Sequence, residues 1–84
     1  MSAPVDLAGQ LRQLQAAARA ATAPGQAVVV DLFLRADGSW ACFCTLLGLA
    51  TFRVGMSSAG GSRFAEDAIS LVEDQLTAWT ASRR

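Results

Sequence analysis

Residues 27–35 alternate between two kinds of side chain, and this pattern limits the fold of the chain more than any other. Period-two alternation with many β-branched residues predicts a strand that has one apolar face. The two faces hold Val28, Val30, Leu32 and Leu34 on one side, and Val29, Asp31, Phe33 and Arg35 on the other. Asp37-Gly38 follows directly and predicts a β-hairpin.

The hairpin has two competing registers. A two-residue loop would place Leu34 opposite Ala41, and Trp40 would then share a face with the charged residues. A three-residue loop over 36–38, with Gly38 in the left-handed conformation, places Trp40 with the apolar set instead. Because a one-residue shift moves every side chain to the opposite face, only the second register gathers the charges on one face. We therefore predict the three-residue loop and a second strand over residues 39–47.

Gly48 predicts either a tight turn or a bend within a longer strand. We expect the turn, followed by a third strand over residues 49–55. Ala50, Phe52 and Val54 would then face the core, whereas Thr51 and Arg53 would face outward. The serine- and glycine-rich residues 57–62 are expected to form a loop.

Two amphipathic helices are predicted at the two ends of the chain. The first covers residues 4–22, with Ser2 as its cap, Asp6 in its first turn and Pro24-Gly25 after its end. The second covers residues 62–80, with Ser62 as its cap and Arg83 and Arg84 near its end. Their apolar faces hold Leu7, Leu11, Leu14, Ala18 and Ala21 in the first helix, and Phe64, Ala65, Ala68, Ile69, Val72, Leu76 and Trp79 in the second.

The 84 residues therefore predict one small α+β domain that spans residues 1–84. The element order α-β-β-β-α with short connections predicts an antiparallel three-stranded meander. Because both helices have one apolar face, we expect them to cover the same side of the sheet in a two-layer sandwich.

This element order is similar to that of double-stranded-RNA-binding domains. The stretch Gly60-Gly61-Ser62-Arg63 also resembles the glycine-rich start of their last helix. Where those domains carry lysines that meet phosphates, this chain has Phe64, Glu66 and Asp67. The resemblance therefore implies the topology alone.

The chain lacks the side chains on which most enzyme sites depend. The chain has no histidine, all seven of its cations are arginines, and its net charge is zero. The usual neutral-pH base, the Schiff-base amine and the commonest metal ligand are therefore absent. We expect a protein that is not an enzyme and holds no cofactor.

Cys42 and Cys44 cannot complete a zinc site within one chain, because such a site needs four ligands. We expect reduced thiols in the core and no metal. The acidic residues Glu66, Asp67, Glu73 and Asp74 fit a solvated helix face. Asp31 is expected to pair with Arg53 or to lie beside Arg35.

Residues 55–63 partly match a phosphate-binding loop, but Gly61 stands where that motif has lysine. A nucleotidase is therefore excluded. A weaker anion site remains as a hypothesis, because free N–H groups at a helix start can hold an anion. Its residues would be Gly60, Gly61, Ser62 and Arg63.

If both helices cover one face, the other face keeps more apolar residues than chance scatter explains. We therefore expect an interaction module that forms a homodimer or binds, blocks or adapts a larger protein. Anti-CRISPR inhibitors of phages and mobile elements are examples of that size and type. The interface residues would be Val29, Phe33, Arg35, Phe43, Leu47, Leu49 and Arg53.

Nucleic-acid binding is the disfavoured alternative, through Arg12, Arg19, Arg63, Arg83 and Arg84. A small anion- or nucleotide-binding protein that uses residues 55–63 is a further alternative. The early acid Asp6 and the absence of a long apolar run predict a cytoplasmic protein without membrane contact.

Overall fold

The computed structural model describes residues 6–82, which form two helices and one three-stranded sheet. The elements are α1 (Leu7–Ala21), β1 (Gln26–Leu34), β2 (Trp40–Gly48), β3 (Val54–Ser62) and α2 (Ala65–Ser82). Both strand pairs are antiparallel, and the sheet order is β1-β2-β3. The predicted α-β-β-β-α fold is confirmed.

The β1–β2 hairpin has the predicted register, in which Leu34 pairs with Trp40. The Arg35 N–H donates to the Ser39 carbonyl at 2.7 Å, and the Gly38 N–H donates to the Arg35 carbonyl at 3.0 Å. Gly38 has a φ of +86°, a conformation that side chains oppose. The three-residue loop therefore closes as expected.

The core lies between one face of the sheet and both helices. Leu14 of α1, Cys42 and Leu46 of β2, and Ile69 and Val72 of α2 are fully buried. Helix α1 packs on β1, α2 packs on β2 and β3, and the helices contact each other. Both helices therefore cover the same face, as predicted.

The third strand differs from the prediction. Residues 49–53 form a turn that the Gly48 N–H closes by donating to the Arg53 carbonyl at 2.7 Å. The strand then covers Val54–Ser62, so the expected strand over 49–55 and the expected loop over 57–62 are both wrong. Ala50 is exposed, and the side chain of Phe52 is 77% exposed, so neither faces the core.

A β-bulge at Gly55 explains why Val54 also fails to reach the core. Leu46 pairs with Met56, but Leu47 pairs with Val54, which leaves Gly55 as the extra residue. Met56 is therefore buried on the helix side, whereas Val54 lies with Leu47 on the opposite face and is exposed.

The helix starts also differ from the predictions. Helix α1 begins at Leu7, and its cap is Asp6, whose Oδ1 accepts from the Gly9 N–H at 2.9 Å. The predicted cap Ser2 lies outside the described residues, as do Arg83 and Arg84. Helix α2 begins at Ala65 because Ser62 is still part of β3. Phe64 precedes the helix and is exposed, so its predicted core position is wrong.

Helix α2 approaches the sheet most closely at Gly60. A β-carbon at Gly60 would lie 2.7 Å from the Ala68 carbonyl oxygen and 2.9 Å from Leu71 Cβ. The small residues of β3 therefore allow the helix to pack directly on the strand.

We predict that Gly60→Ala lowers the free energy of unfolding by about 1–3 kcal/mol, because the added methyl overpacks the contact with α2. The matched control is Gly61→Ala, on the opposite face, where a β-carbon has its nearest neighbour at 3.8 Å. Urea unfolding followed by circular dichroism measures both. Equal losses in the two variants would contradict the close approach.

Candidate interaction surface

The face of the sheet that points away from the helices, called the outer face below, has no covering element within residues 6–82. It consists of the strand residues whose side chains alternate with those of the core. These are Val29, Asp31 and Phe33 of β1, Ala41, Phe43, Thr45 and Leu47 of β2, and Val54, Ser57, Ala59 and Gly61 of β3.

An aromatic pair lies on the outer face, toward the β1–β2 hairpin. The rings of Phe33 and Phe43 stack with centroids 5.5 Å apart and planes inclined by 12°. Phe33 remains 46% exposed and Val29 42% exposed, whereas Phe43 and Leu47 are half-buried. The pair is therefore an apolar platform that still presents surface to solvent.

Two opposite charges flank Phe33 along the same strand direction. Asp31 precedes Phe33 by two residues, and Arg35 follows it by two, so all three share the outer face. Arg35 reaches across the sheet, since a β-carbon at Gly61 would lie 4.0 Å from its Nη2. Its side chain therefore extends over β2 toward β3.

The predicted pairing of Asp31 with Arg53 is wrong. Asp31 pairs in register with Phe43, which pairs in turn with Ala59. Arg53 lies in the β2–β3 turn, beyond the strand ends. Because β3 begins later in the chain than predicted, at Val54, Arg53 does not lie in the middle of the sheet.

The β2–β3 turn adds further apolar surface at one end of the sheet. Leu49 is 56% exposed, and its N–H donates to the Gly25 carbonyl at 2.9 Å. The predicted interface residues Leu49 and Arg53 therefore lie in this turn rather than on the sheet itself.

Sequence reasoning assigned two exposed apolar residues, Phe52 and Val54, to the core. Phe52 has a φ of +53°, a conformation that is uncommon for an aromatic residue. The bulge at Gly55 decides on which face of the sheet Val54 lies, and the alternation of side chains does not indicate this bulge. The length of β2 is a signal for the extent of β3, since both strands have nine residues.

The predicted anion-binding residues do not form a loop at a helix start. Gly60, Gly61 and Ser62 pair with Cys42, Ala41 and Trp40 in the sheet, so their geometry is that of a strand. Gly60 is also buried. The arrangement of free N–H groups that motivated the anion hypothesis is therefore absent from these residues.

Arg63 lines an open depression of about 550 Å³ together with Phe64 and the Asp37-Gly38-Ser39 hairpin. Asp37 Oδ1 accepts from the Ser39 hydroxyl at 2.6 Å and from the Ser39 N–H at 2.9 Å. These hydrogen bonds hold the pKa of the Asp37 carboxyl below its ordinary value. The lining of the depression thus contains one cation and one carboxylate, and the carboxylate disfavours the binding of an anion.

The nucleophilic side chains Cys42, Cys44 and Ser58 are buried in the core. Both cysteines are free thiols, as predicted. Cys44 pairs in register with Ser58, whose buried hydroxyl has no hydrogen-bond partner. Burial raises the pKa of both thiols, that of Cys42 to about 11. These groups are therefore protonated and shielded from solvent.

Within residues 6–82, no group of three or more acidic or cysteine side chains is arranged to hold a metal ion. Neither helix of that range is long and apolar enough to cross a membrane.

No protein-family model, no curated protein and no solved structure matches this chain. The similarity to double-stranded-RNA-binding domains therefore remains one of element order.

We predict that the free energy of unfolding falls between pH 9 and pH 11. The unfolded Cys42 thiol releases its proton near the ordinary pKa of 9.0, whereas the folded thiol keeps it until about 11. Within that window the folded state holds the extra proton, so stability is complete below pH 9 and is lost as pH rises.

The composition makes this measurement specific, because the chain has no lysine or tyrosine to titrate in the same range. Urea unfolding at several pH values measures the effect, and Cys42→Ala/Cys44→Ala is the control. A decline of equal size in the control would rule out the thiols as its cause.

Proposed function

We propose that this chain is a non-enzymatic protein-interaction module whose first partner is a second copy of itself. The observation that supports this proposal is the outer face, which no element of residues 6–82 covers. Phe33 stacks on Phe43 there and lies between the opposite charges of Asp31 and Arg35. A contiguous apolar patch of this size is often a functional surface, even in monomeric proteins.

The order of side chains on β1 fits a two-fold partner. Asp31 and Arg35 lie about 7 Å on either side of Phe33, from the rise of about 3.4 Å per strand residue. If two outer faces pack with their β1 strands antiparallel and Phe33 near the axis, each Asp31 faces the other copy's Arg35. A single patch is then complementary to itself, as a two-fold interface requires.

The size of the outer face sets the expected strength. Three strands of nine residues cover roughly 30 by 14 Å, or about 400 Å². This area is an upper limit for the contact, because Phe33 lies one residue before the end of β1 and two faces centred on it overlap only in part. A standard stable interface covers about 800 Å² on each partner. We therefore expect a weak dimer, with dissociation constants in the micromolar range.

The placement of the reactive groups supports a non-enzymatic role. Cys42, Cys44 and Ser58 are buried within the core. A nucleophile needs a base within hydrogen-bond reach, and the chain has no histidine or lysine.

The first test replaces the aromatic platform. We predict that Phe33→Ser/Phe43→Ser shifts the monomer–dimer midpoint at least about tenfold toward higher concentration, because it removes the apolar centre of the interface. Sedimentation velocity over roughly 10–500 µM protein measures this shift.

The matched control is Phe64→Ser, which removes an equally large exposed side chain that lies outside the strands, just before α2. Thermal unfolding checks that every variant stays folded. A wild-type protein that is monomeric over the whole range would refute self-association. Equal weakening by Phe64→Ser would refute the outer face as the interface.

The second test reverses the charges. Asp31→Arg should weaken the dimer, because it places cations opposite cations across the two-fold axis. The double variant Asp31→Arg/Arg35→Asp should restore association, since each carboxylate again faces an arginine. The same sedimentation measurement applies, and a double variant as weak as the single one would contradict the proposed packing.

A further inference from the structure

Among residues 6–82, strand β3 is an edge of the sheet, because it pairs with β2 on one side alone. An edge strand presents unpaired N–H and C=O groups that can bind another strand. Charged residues and prolines on an edge strand commonly block such pairing. Val54–Ser62 contains neither. The β3 edge therefore needs another protection if the chain is to avoid adding strands there.

Gln75 of α2 supplies hydrogen bonds at the middle of this edge. Its Nε2 donates to the Ala59 carbonyl at 2.7 Å, and its Oε1 accepts from the Ala59 N–H at 3.2 Å. Both backbone groups of Ala59 therefore point away from β2. The carboxamide of Gln75 makes the two hydrogen bonds that the peptide groups of a neighbouring antiparallel strand would make.

The same side of α2 holds an exposed leucine next to the edge. Leu71 precedes Gln75 by one helical turn and is 44% exposed. A β-carbon at Gly60 would lie 2.9 Å from Leu71 Cβ, so Leu71 lies over β3. A strand added to this edge would find both backbone partners and an apolar side chain above them.

We propose that the β3 edge is a latent pairing site for the β3 strand of a second copy, and that Gln75 keeps it closed. The outward-pointing groups repeat every second residue along an antiparallel edge, so Ser57 and Gly61 flank Ala59 on both sides. Two β3 strands can therefore pair antiparallel about a two-fold axis at Ala59.

The chemistry of β3 favours its own copy as the occupant. Neither strand brings a charge that would repel the other, and the side chains at Ser57, Ala59 and Gly61 are small. The product would be a continuous six-stranded sheet. This site is separate from the outer face, so it does not depend on the proposed function.

The test uses Gln75→Ala in the Phe33→Ser/Phe43→Ser background, where outer-face association is removed. Alanine is the best helix former, so α2 should remain intact. We expect the variant to form dimers or larger species at concentrations where its parent is monomeric, as sedimentation velocity would show. The matched control is Gln13→Ala, which removes an exposed glutamine of α1.

Gln75→Glu distinguishes the effect of losing a hydrogen bond to Ala59 from the effect of opening the edge to another strand. A glutamate can still accept from the Ala59 N–H but cannot donate to its carbonyl, and its charge opposes an incoming strand. We therefore expect this variant to stay monomeric.

The hydrogen-exchange rate of the Ala59 amide measures directly whether the β3 edge is hydrogen-bonded. In dilute, monomeric Gln75→Ala, the Ala59 amide should exchange at least roughly fivefold faster than in the parent, because its acceptor is gone. In the associated state the same amide should become protected again.

A Gln75→Ala protein that remains monomeric at every concentration overturns the proposal, whatever its exchange rate. Association of Gln75→Glu or Gln13→Ala to the same extent also overturns it. Failure of the outer-face dimer in the wild type leaves these outcomes unchanged, so the two proposals fail separately.

Discussion

Gly38 holds a backbone φ of +86° and thereby closes a three-residue loop between β1 and β2. That loop sets the register of the hairpin, and the register decides the face of every side chain on both strands. Cys42, Cys44 and Leu46 lie under the helices for this reason, whereas Phe33 and Phe43 meet on the other side. A shift of one residue would bury Asp31 and expose the core.

The two surfaces of the sheet proposed to bind a second copy differ in kind. The outer face offers apolar area without backbone hydrogen bonds. The β3 edge offers backbone hydrogen bonds with little side-chain area, and Gln75 already satisfies its central pair. Association through the face would leave the sheet as it is, whereas association through the edge would extend it. In the proposed arrangement, Gln75 limits the association of two copies through the β3 edge.

Reading the sequence located the first hairpin and the apolar stripes of both helices, because periodic patterns report which side of an element is buried. It failed at residues 49–62, where glycine, serine and alanine give no alternation that hydrophobicity can reveal. Of the predicted interface, Val29, Phe33, Phe43 and Leu47 share the outer face, and Leu49 and Arg53 lie in the turn. Phe52 misses the predicted core position because it lies in the turn, and Val54 misses it because of the bulge at Gly55.

The sequence by itself determined the element order, the β1–β2 register and the excess of apolar side chains on the outer face. These follow from local periodicity and from one turn glycine. The tertiary structure alone decided where β3 begins, because the turn that the Gly48–Arg53 hydrogen bond closes and the bulge at Gly55 place Val54 as its first residue. It also decided the role of Gln75, since the bond to Ala59 joins residues 16 positions apart. Such contacts between elements leave no periodic signal in the chain.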